Sequence, residues 1–235
     1  MVSFRQPRIS AGLDINKPIQ RAPNFCGESM ESFELLLAES TRIHGHICAG
    51  QVIGVRMSMA ALERIGINDP KGADRKKLYV LVEIDRCATD AIQSVTGCSL
   101  GKRSMRWLDF GVMAATFVNL ETGRAVRVTA REEARTLSAT YCPTIVDKYQ
   151  RQLEAYKVMP LDELFVFQEV KVQVPECDMP GRPIRRVRCE QCGDWVQDCR
   201  ERERNGAILC RSCDGERYYQ VVTNMDQVSA APASS

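Results

Sequence analysis

Histidine is nearly absent from this chain: two of its 235 residues, His44 and His46, carry an imidazole, and a single glycine separates them. Imidazole chemistry is therefore confined to one short segment. Net charge is small as well. Lys and Arg total 32 against 30 acids, a balance of +2 that gives no case for general attraction to nucleic acid or to an anionic membrane. No apolar run approaches the ~18 residues of a membrane span, and the first residues lack the apolar centre of a secretory signal. Together these absences predict a soluble, cytoplasmic protein with no membrane contact. Its length is enough for one medium core plus something small.

Cysteine, by contrast, is plentiful at eleven residues. Four of them form Cys189-Glu190-Gln191-Cys192 and Cys210-Arg211-Ser212-Cys213, with seventeen residues between the pairs. That is the spacing of a zinc ribbon, in which Zn²⁺ takes four thiolates tetrahedrally and each Cys-x-x-Cys turn supplies two; two disulfides are the alternative. Gly193 can adopt the positive φ that closes such a knuckle. A chain this long with two such pairs points to metal ligation under reducing conditions rather than to a secreted disulfide scaffold.

The coarse organisation follows from punctuation and periodicity. Residues 1–28, with Pro7, Pro18, Pro23 and Cys26, read as an irregular arm. Helical spacing begins at Ser29 and runs to Ser40, with Phe33, Leu36 and Leu37 on one face. Val52, Val55, Met59 and Leu62 mark a second helix stopped by Gly66. Leu78–Ile84 predicts a strand delivering Asp85, Arg86 and Cys87, followed by a short helix capped by Asp90 and ended by Gly97, with Cys98 on the turn beyond. A hairpin is expected from Ala114–Leu120 and Ala125–Thr129 around Glu121-Thr122-Gly123. Thr129 and Glu132 have the spacing of a capping box. Ile145, Tyr149, Leu153 and Tyr156 suggest another amphipathic helix, and Leu164–Val174 alternates like a strand. The fold class is α+β, a mixed or antiparallel sheet with packed helices over 29–174. A Pro-rich linker over 175–188, a zinc ribbon over 189–222 and a disordered tail over 223–235 follow.

The candidate chemistry lies upstream. His44 and His46 stand four and two residues before Cys48, where the second helix begins. Imidazole nitrogen and thiolate sulfur together suit zinc, iron and similar metals. Cys87 and Cys98 are expected to complete this core pocket, as both lie on loops that could meet at one sheet edge. His44 is a ligand, an outer-shell partner or an acid–base group. Cys26, Cys142 and Cys177 read as packing, and Cys199 as a spectator between the ribbon pairs.

His44-Gly45-His46-Ile47-Cys48-Ala49-Gly50, Cys87-Ala88-Thr89-Asp90-Ala91-Ile92-Gln93 and Thr96-Gly97-Cys98 resemble the core of the FmdE family, the E subunits of formylmethanofuran dehydrogenase. The Thr116-Phe117 and Thr122-Gly123 hairpin and the C-terminal ribbon also resemble that family, so the likeness runs from about Ser32 to Ser212. The resemblance implies a metal pocket built from the His-Gly-His-x-Cys region and later cysteines, a homodimer, and an appended zinc ribbon. The enzyme of that name oxidises formylmethanofuran with a molybdenum or tungsten pterin held on other subunits.

Three functions compete. The first is an accessory metalloprotein or subunit of a molybdenum or tungsten oxidoreductase, with zinc in the ribbon and a second transition metal, zinc or iron, in the core. The second is a stand-alone metalloenzyme with an open metal position, for which His44, Cys48 and Asp90 are catalytic candidates and Glu83 and Asp85 further bases. The third is a nucleic-acid-binding regulator built on the ribbon. From Arg182 to Thr223 nine Arg face seven acids, which weakens that third reading. The sulfur-rich pocket, poor in obvious bases, favours the first.

Overall fold

The computed structural model describes residues 32–222. The arm at 1–28, with Cys26, and the tail at 223–235 lie outside the described residues. Helix α1 (Phe33–His44) is capped by the Ser32 side chain, which accepts from Leu35 N. Gly45 ends it at φ +95°, a left-handed turn that costs glycine little. Helix α2 (Ala49–Ile65) starts at once and stops at Gly66, also left-handed. Eleven of the seventeen residues of α2 are buried, and Val52, Val55, Ala61 and Leu62 are sealed from solvent. Each fully buried Val or Leu contributes about 1.5–3 kcal/mol relative to exposure.

Strand β1 (Leu78–Val82) leads to helix α3 (Cys87–Thr96), stopped by Gly97 as expected. Strand β2 (Met105–Trp107) follows, then the hairpin β3 (Ala114–Asn119) and β4 (Ala125–Ala130). Helices α4 (Glu133–Tyr141), α5 (Lys148–Val158) and the single turn α6 (Leu161–Leu164) lead to β5 (Phe165–Val170). The five strands lie in the order β2-β1-β3-β4-β5, with β1–β2 parallel and the other pairs antiparallel. The fold is α+β with a mixed sheet. Register puts Val80, Phe117, Val126 and Phe167 on the face beneath α2. The opposite face carries Tyr79, Val118, Ala125 and, paired with Ala125, Val170 of β5, with Val172 and Val174 from the chain leaving β5 packed against this cluster.

Close backbone approach sets the helical layer. A Cβ at Gly54 would meet the Ala88 carbonyl oxygen at 2.4 Å and Ala91 Cβ at 2.6 Å, so α2 and α3 touch there without an intervening side chain. Gln51, fully buried, donates through Nε2 to the Cys87 carbonyl at 2.6 Å and accepts from the Ser40 hydroxyl. One amide thus ties α1 and α2 to the first residue of α3.

Several local expectations are corrected. Thr129 does not cap α4: it remains in β4, where its hydroxyl accepts from Arg127, and Glu132 precedes α4 with no side-chain cap. Tyr149 is exposed, because α5 is capped by Asp147 and turns Leu153 and Tyr156, not Tyr149, inward. Glu83 forms an ion pair with Arg127 on the sheet face away from the helices, at 2.7 Å, and is therefore occupied.

The segment after β5 is no free linker. It makes a 3-10 turn at Glu176–Asp178, and Cys177 is disulfide-bonded to Cys199. Neither the packing role expected for Cys177 nor the spectator role expected for Cys199 holds. Asp178 is buried between Arg106 of β2 and Arg200, and Arg103 faces Asp198 at 2.6 Å while donating to the Cys177 carbonyl. Beyond it lie two small hairpins, β6 (Arg186–Arg188) with β7 (Trp195–Gln197) and β8 (Arg202–Arg204) with β9 (Ala207–Leu209), the second turning on Asn205-Gly206. Among the described residues no helix is long and apolar enough to cross a membrane.

Candidate metal centres

Two groups of side chains converge closely enough to hold a metal ion. In the first, the ligand atoms of Cys189, Cys192, Cys210 and Cys213 all lie within 4.8 Å of one another. Cys192 Sγ and Cys210 Sγ are 3.8 Å apart, and none of the four is in a disulfide, so the two-disulfide alternative is not what the chain adopts. Gly193 takes φ +81° and returns its N–H to the Cys189 carbonyl. Backbone N–H groups of Cys192 and Cys210 hold the Cys189 thiol down to about 6. For Cys192 the Asp194 amide alone would lower the pKa, but burial and the neighbouring Cys189 and Cys213 sulfurs together push it up to about 12. Four sulfurs this close favour one thiolate at the expense of the next, a conflict a divalent cation removes.

In the second group, ligand atoms of His44, His46 and Cys48 lie within 4.8 Å of one another. The causes are local. His44 is the last residue of α1, Gly45 reverses the chain, and the two imidazoles come to rest with centroids 4.6 Å apart. Cys48 is the residue before α2, its extended backbone turning the thiol out of the helix start. His44 Nδ1 stands 2.7 Å from Asp90 Oδ2, and a carboxylate can only accept, so the proton sits on Nδ1. His44 Nε2 is buried and has no hydrogen-bond partner among the described residues.

Of the other residues expected here, Cys87 arrives and Cys98 does not. Cys87 opens α3 beside Cys48: burial first, and the Cys48 thiol next, push its pKa up. Gly50 makes room for both, since a Cβ there would stand 2.9 Å from Cys87 Cβ and 3.7 Å from Cys48 Sγ. Cys98 lies past the opposite end of α3, whose ten residues span about 15 Å. It is buried in the core with its thiol directed at the Leu78 carbonyl. Asp90 is not a cap: α3 begins at Cys87, and Asp90 in its first turn serves His44 instead. Asp85 is exposed.

The ribbon arginines are largely spoken for by acids: Arg185 by Glu201, Arg202 and Arg211 by Glu216, Arg204 by Asp214. On β6, Arg186 lies over the Trp195 ring and Arg188 donates to the Gly193 carbonyl, neither with a carboxylate partner among the described residues.

Comparison with known proteins adds three findings. The model of the family described as "FmdE, Molybdenum formylmethanofuran dehydrogenase operon" matches residues 43–166. That span holds His44, His46, Cys48, Cys87 and Asp90 and stops short of the ribbon. A protein of Archaeoglobus fulgidus named a probable S-adenosyl-L-methionine-binding protein is 30% identical over 211 residues, covering 80% of this chain and 54% of that protein. The chain thus spans about half the length of that curated relative. The crystal structure of an FmdE-like protein of the tungsten formylmethanofuran dehydrogenase type, from Syntrophus aciditrophicus, has a TM-score of 0.55 and 22% identity, covering 81% of this chain and 96% of that one. At that identity the likeness is one of fold.

Proposed function

The chain belongs to the FmdE family, and from that premise we propose that it is a metal-binding accessory protein or subunit of a molybdenum or tungsten oxidoreductase. In this reading a transition metal, zinc or iron, is held in the core by His44, His46 and Cys48 with Cys87 as fourth donor, and a structural zinc is held by the ribbon cysteines. The observation that carries the core site is His44. Its Nε2 is buried without a partner among the described residues while Asp90 holds the other ring nitrogen. A buried imidazole nitrogen left bare costs free energy, and the carboxylate–histidine arrangement is the one that orients a metal ligand. Two nitrogens and two sulfurs suit zinc or iron, which would supply Lewis acidity or, for iron, a one-electron couple. Asp90 keeps the His44 proton on Nδ1, and Gln51 fixes the backbone of Cys87. As in the family resemblance, the protein acts as a homodimer. Trp107 at the end of the edge strand β2 and Phe110 just beyond it, both exposed, supply apolar surface for it.

A second reading has its own observation. Three donors form the tight group and Cys87 stands outside it, so an ion held by the three alone keeps one position open, the arrangement of a catalytic zinc. Cys87→Ser separates the two: it weakens metal binding if Cys87 is a ligand and leaves it intact if the position is open.

The deciding experiment is elemental analysis of the chain purified without added metal. Two ions per chain are expected, falling to one in His46→Ala/Cys48→Ser and to one in Cys189→Ser/Cys192→Ser. A wild-type chain with a single ion lost only in the ribbon variant would end the core-site reading. Failure to co-purify with a molybdenum or tungsten enzyme from its own host would end the accessory role.

A further inference from the structure

A cleft of about 960 Å³ opens toward the C-terminal end of α3, away from the Cys87 end that faces the His–Cys group. Its walls come from α1, the last turn of α3, the loops at 70–76 and 98–104, and the chain at Pro180-Gly181. The volume lies within the range of small-molecule sites.

Its charge is one-sided. Lys71, Arg75, Lys76 and Lys102 line it against a single carboxylate, Glu39, and Lys71 answers that carboxylate at 2.5 Å. Arg75 and Lys102 reach only backbone carbonyls, those of Gly72 and Gly97, and Lys76 has no acidic partner among the described residues. Three cations on two loops lining the cleft are therefore without a counter-charge among the described residues. One of them also answers the chief objection to an anion here: the carbonyls ending α3 repel negative charge, and Lys102 Nζ donates to the Gly97 carbonyl at 2.9 Å.

Two further observations point to a ligand. Ser94 lines the cleft and is only 5% exposed, yet its hydroxyl has no hydrogen-bond partner among the described residues. A buried hydroxyl without a partner is costly unless something else supplies one. Ile43 and Pro180 give the same cleft apolar walls, Ile43 being 52% exposed. Unpaired cations and apolar side chains lining one cleft fit a molecule with phosphates on an uncharged body. Ammonium groups act as point charges toward phosphate oxygens, and Arg75 adds a bidentate fork.

We propose that this cleft binds a phosphorylated small molecule of nucleoside-diphosphate size, its phosphates among Arg75, Lys76 and Lys102 and its body against Ile43 and Pro180. The site is independent of the metal centres, although Gln93 of its wall is one turn from Asp90.

The test is calorimetric titration of the full chain with ADP at low salt, with adenosine as the uncharged comparison. ADP binds, adenosine does not, and affinity falls as salt rises. Lys76→Glu/Lys102→Glu, both exposed and outside the core, weakens ADP binding at least tenfold with an unchanged circular dichroism spectrum. His46→Ala leaves ADP binding unchanged, so this proposal and the core-metal reading fail separately. Absence of ADP binding, equal binding of adenosine, indifference to the charge reversal, or preference for single-stranded RNA over ADP would each overturn it.

Discussion

Asp90 Oδ2 and His44 Nδ1 stand 2.7 Å apart although 46 positions separate them in the chain. The pair joins the end of α1 to the first turn of α3 and leaves the other imidazole nitrogen, buried and without a hydrogen-bond partner among the described residues, free to serve the group made with His46 and Cys48. Asp90→Asn keeps the shape but offers an amide where a carboxylate fixed the tautomer. Loss of such a partner typically weakens metal affinity by about 10–100-fold. Competitive titration with a chelator should show that loss in the core site alone, with ribbon affinity unchanged.

The contact of α2 with α3 at Gly54 has no slack. A methyl group there would stand 2.4 Å from the Ala88 carbonyl oxygen, and backbone cannot swing aside as a side chain can. Gly54→Ala should therefore destabilise the core by about 2 kcal/mol or more, at the upper part of the range for overpacking. Urea denaturation with an unchanged slope would measure it. A shift of the midpoint within error of wild type would mean that the two helices yield to a methyl group.

The Cys177–Cys199 bond closes a loop of 22 residues, and a cross-link of that span stabilises by about 3 kcal/mol in the chain-entropy account. Reduction, or Cys199→Ser, should raise hydrogen exchange in β6 to β9 while leaving β1, β3 and β4 protected. Equal loosening of both regions would show that ribbon and sheet unfold as one unit.

The contact between Asp198 and Arg103 gives the ribbon's attachment an acid limit. The Arg103 guanidinium, opposed by burial and aided by the Ile184 amide, holds the Asp198 carboxyl below the usual aspartate range. Its folded pKa is thus lower than its unfolded one. The contribution is complete above the ordinary aspartate value of about 3.9 and disappears as pH falls through the depressed folded value. Exchange in the ribbon should rise below about pH 4, and Asp198→Asn should flatten that dependence. An unchanged acid profile in the variant would assign the effect elsewhere.

Local chemistry made much of this legible. Gly66 and Gly97 stop their helices because positive φ favours glycine, and the Thr122-Gly123 turn joins two strands of the right alternation. The His44, His46 and Cys48 cluster was readable because the three stand within five residues and Gly45 turns the chain between them. What distance along the chain hides was not readable. Cys98 follows the same helix that Cys87 begins, and only the length of α3 decides that they part. Asp90 has the composition of a cap, but where α1 ends makes it a histidine's partner. Thr129 and Glu132 have capping-box spacing, yet pairing with Val166 keeps Thr129 in the sheet. The union of Cys177 with Cys199 could not follow from spacing, because any two thiols are equivalent until the fold brings them together.

Val172 and Val174, on the way from the last strand of the sheet toward the ribbon, pack against the cluster of Tyr79, Val118 and Ala125. The ribbon is consequently not a cassette that can be lifted out at its first cysteine and spliced onto another host. Its stem is the shingle on the back of the sheet, and a graft cut upstream of that stem would leave the donor with bare, sticky strands.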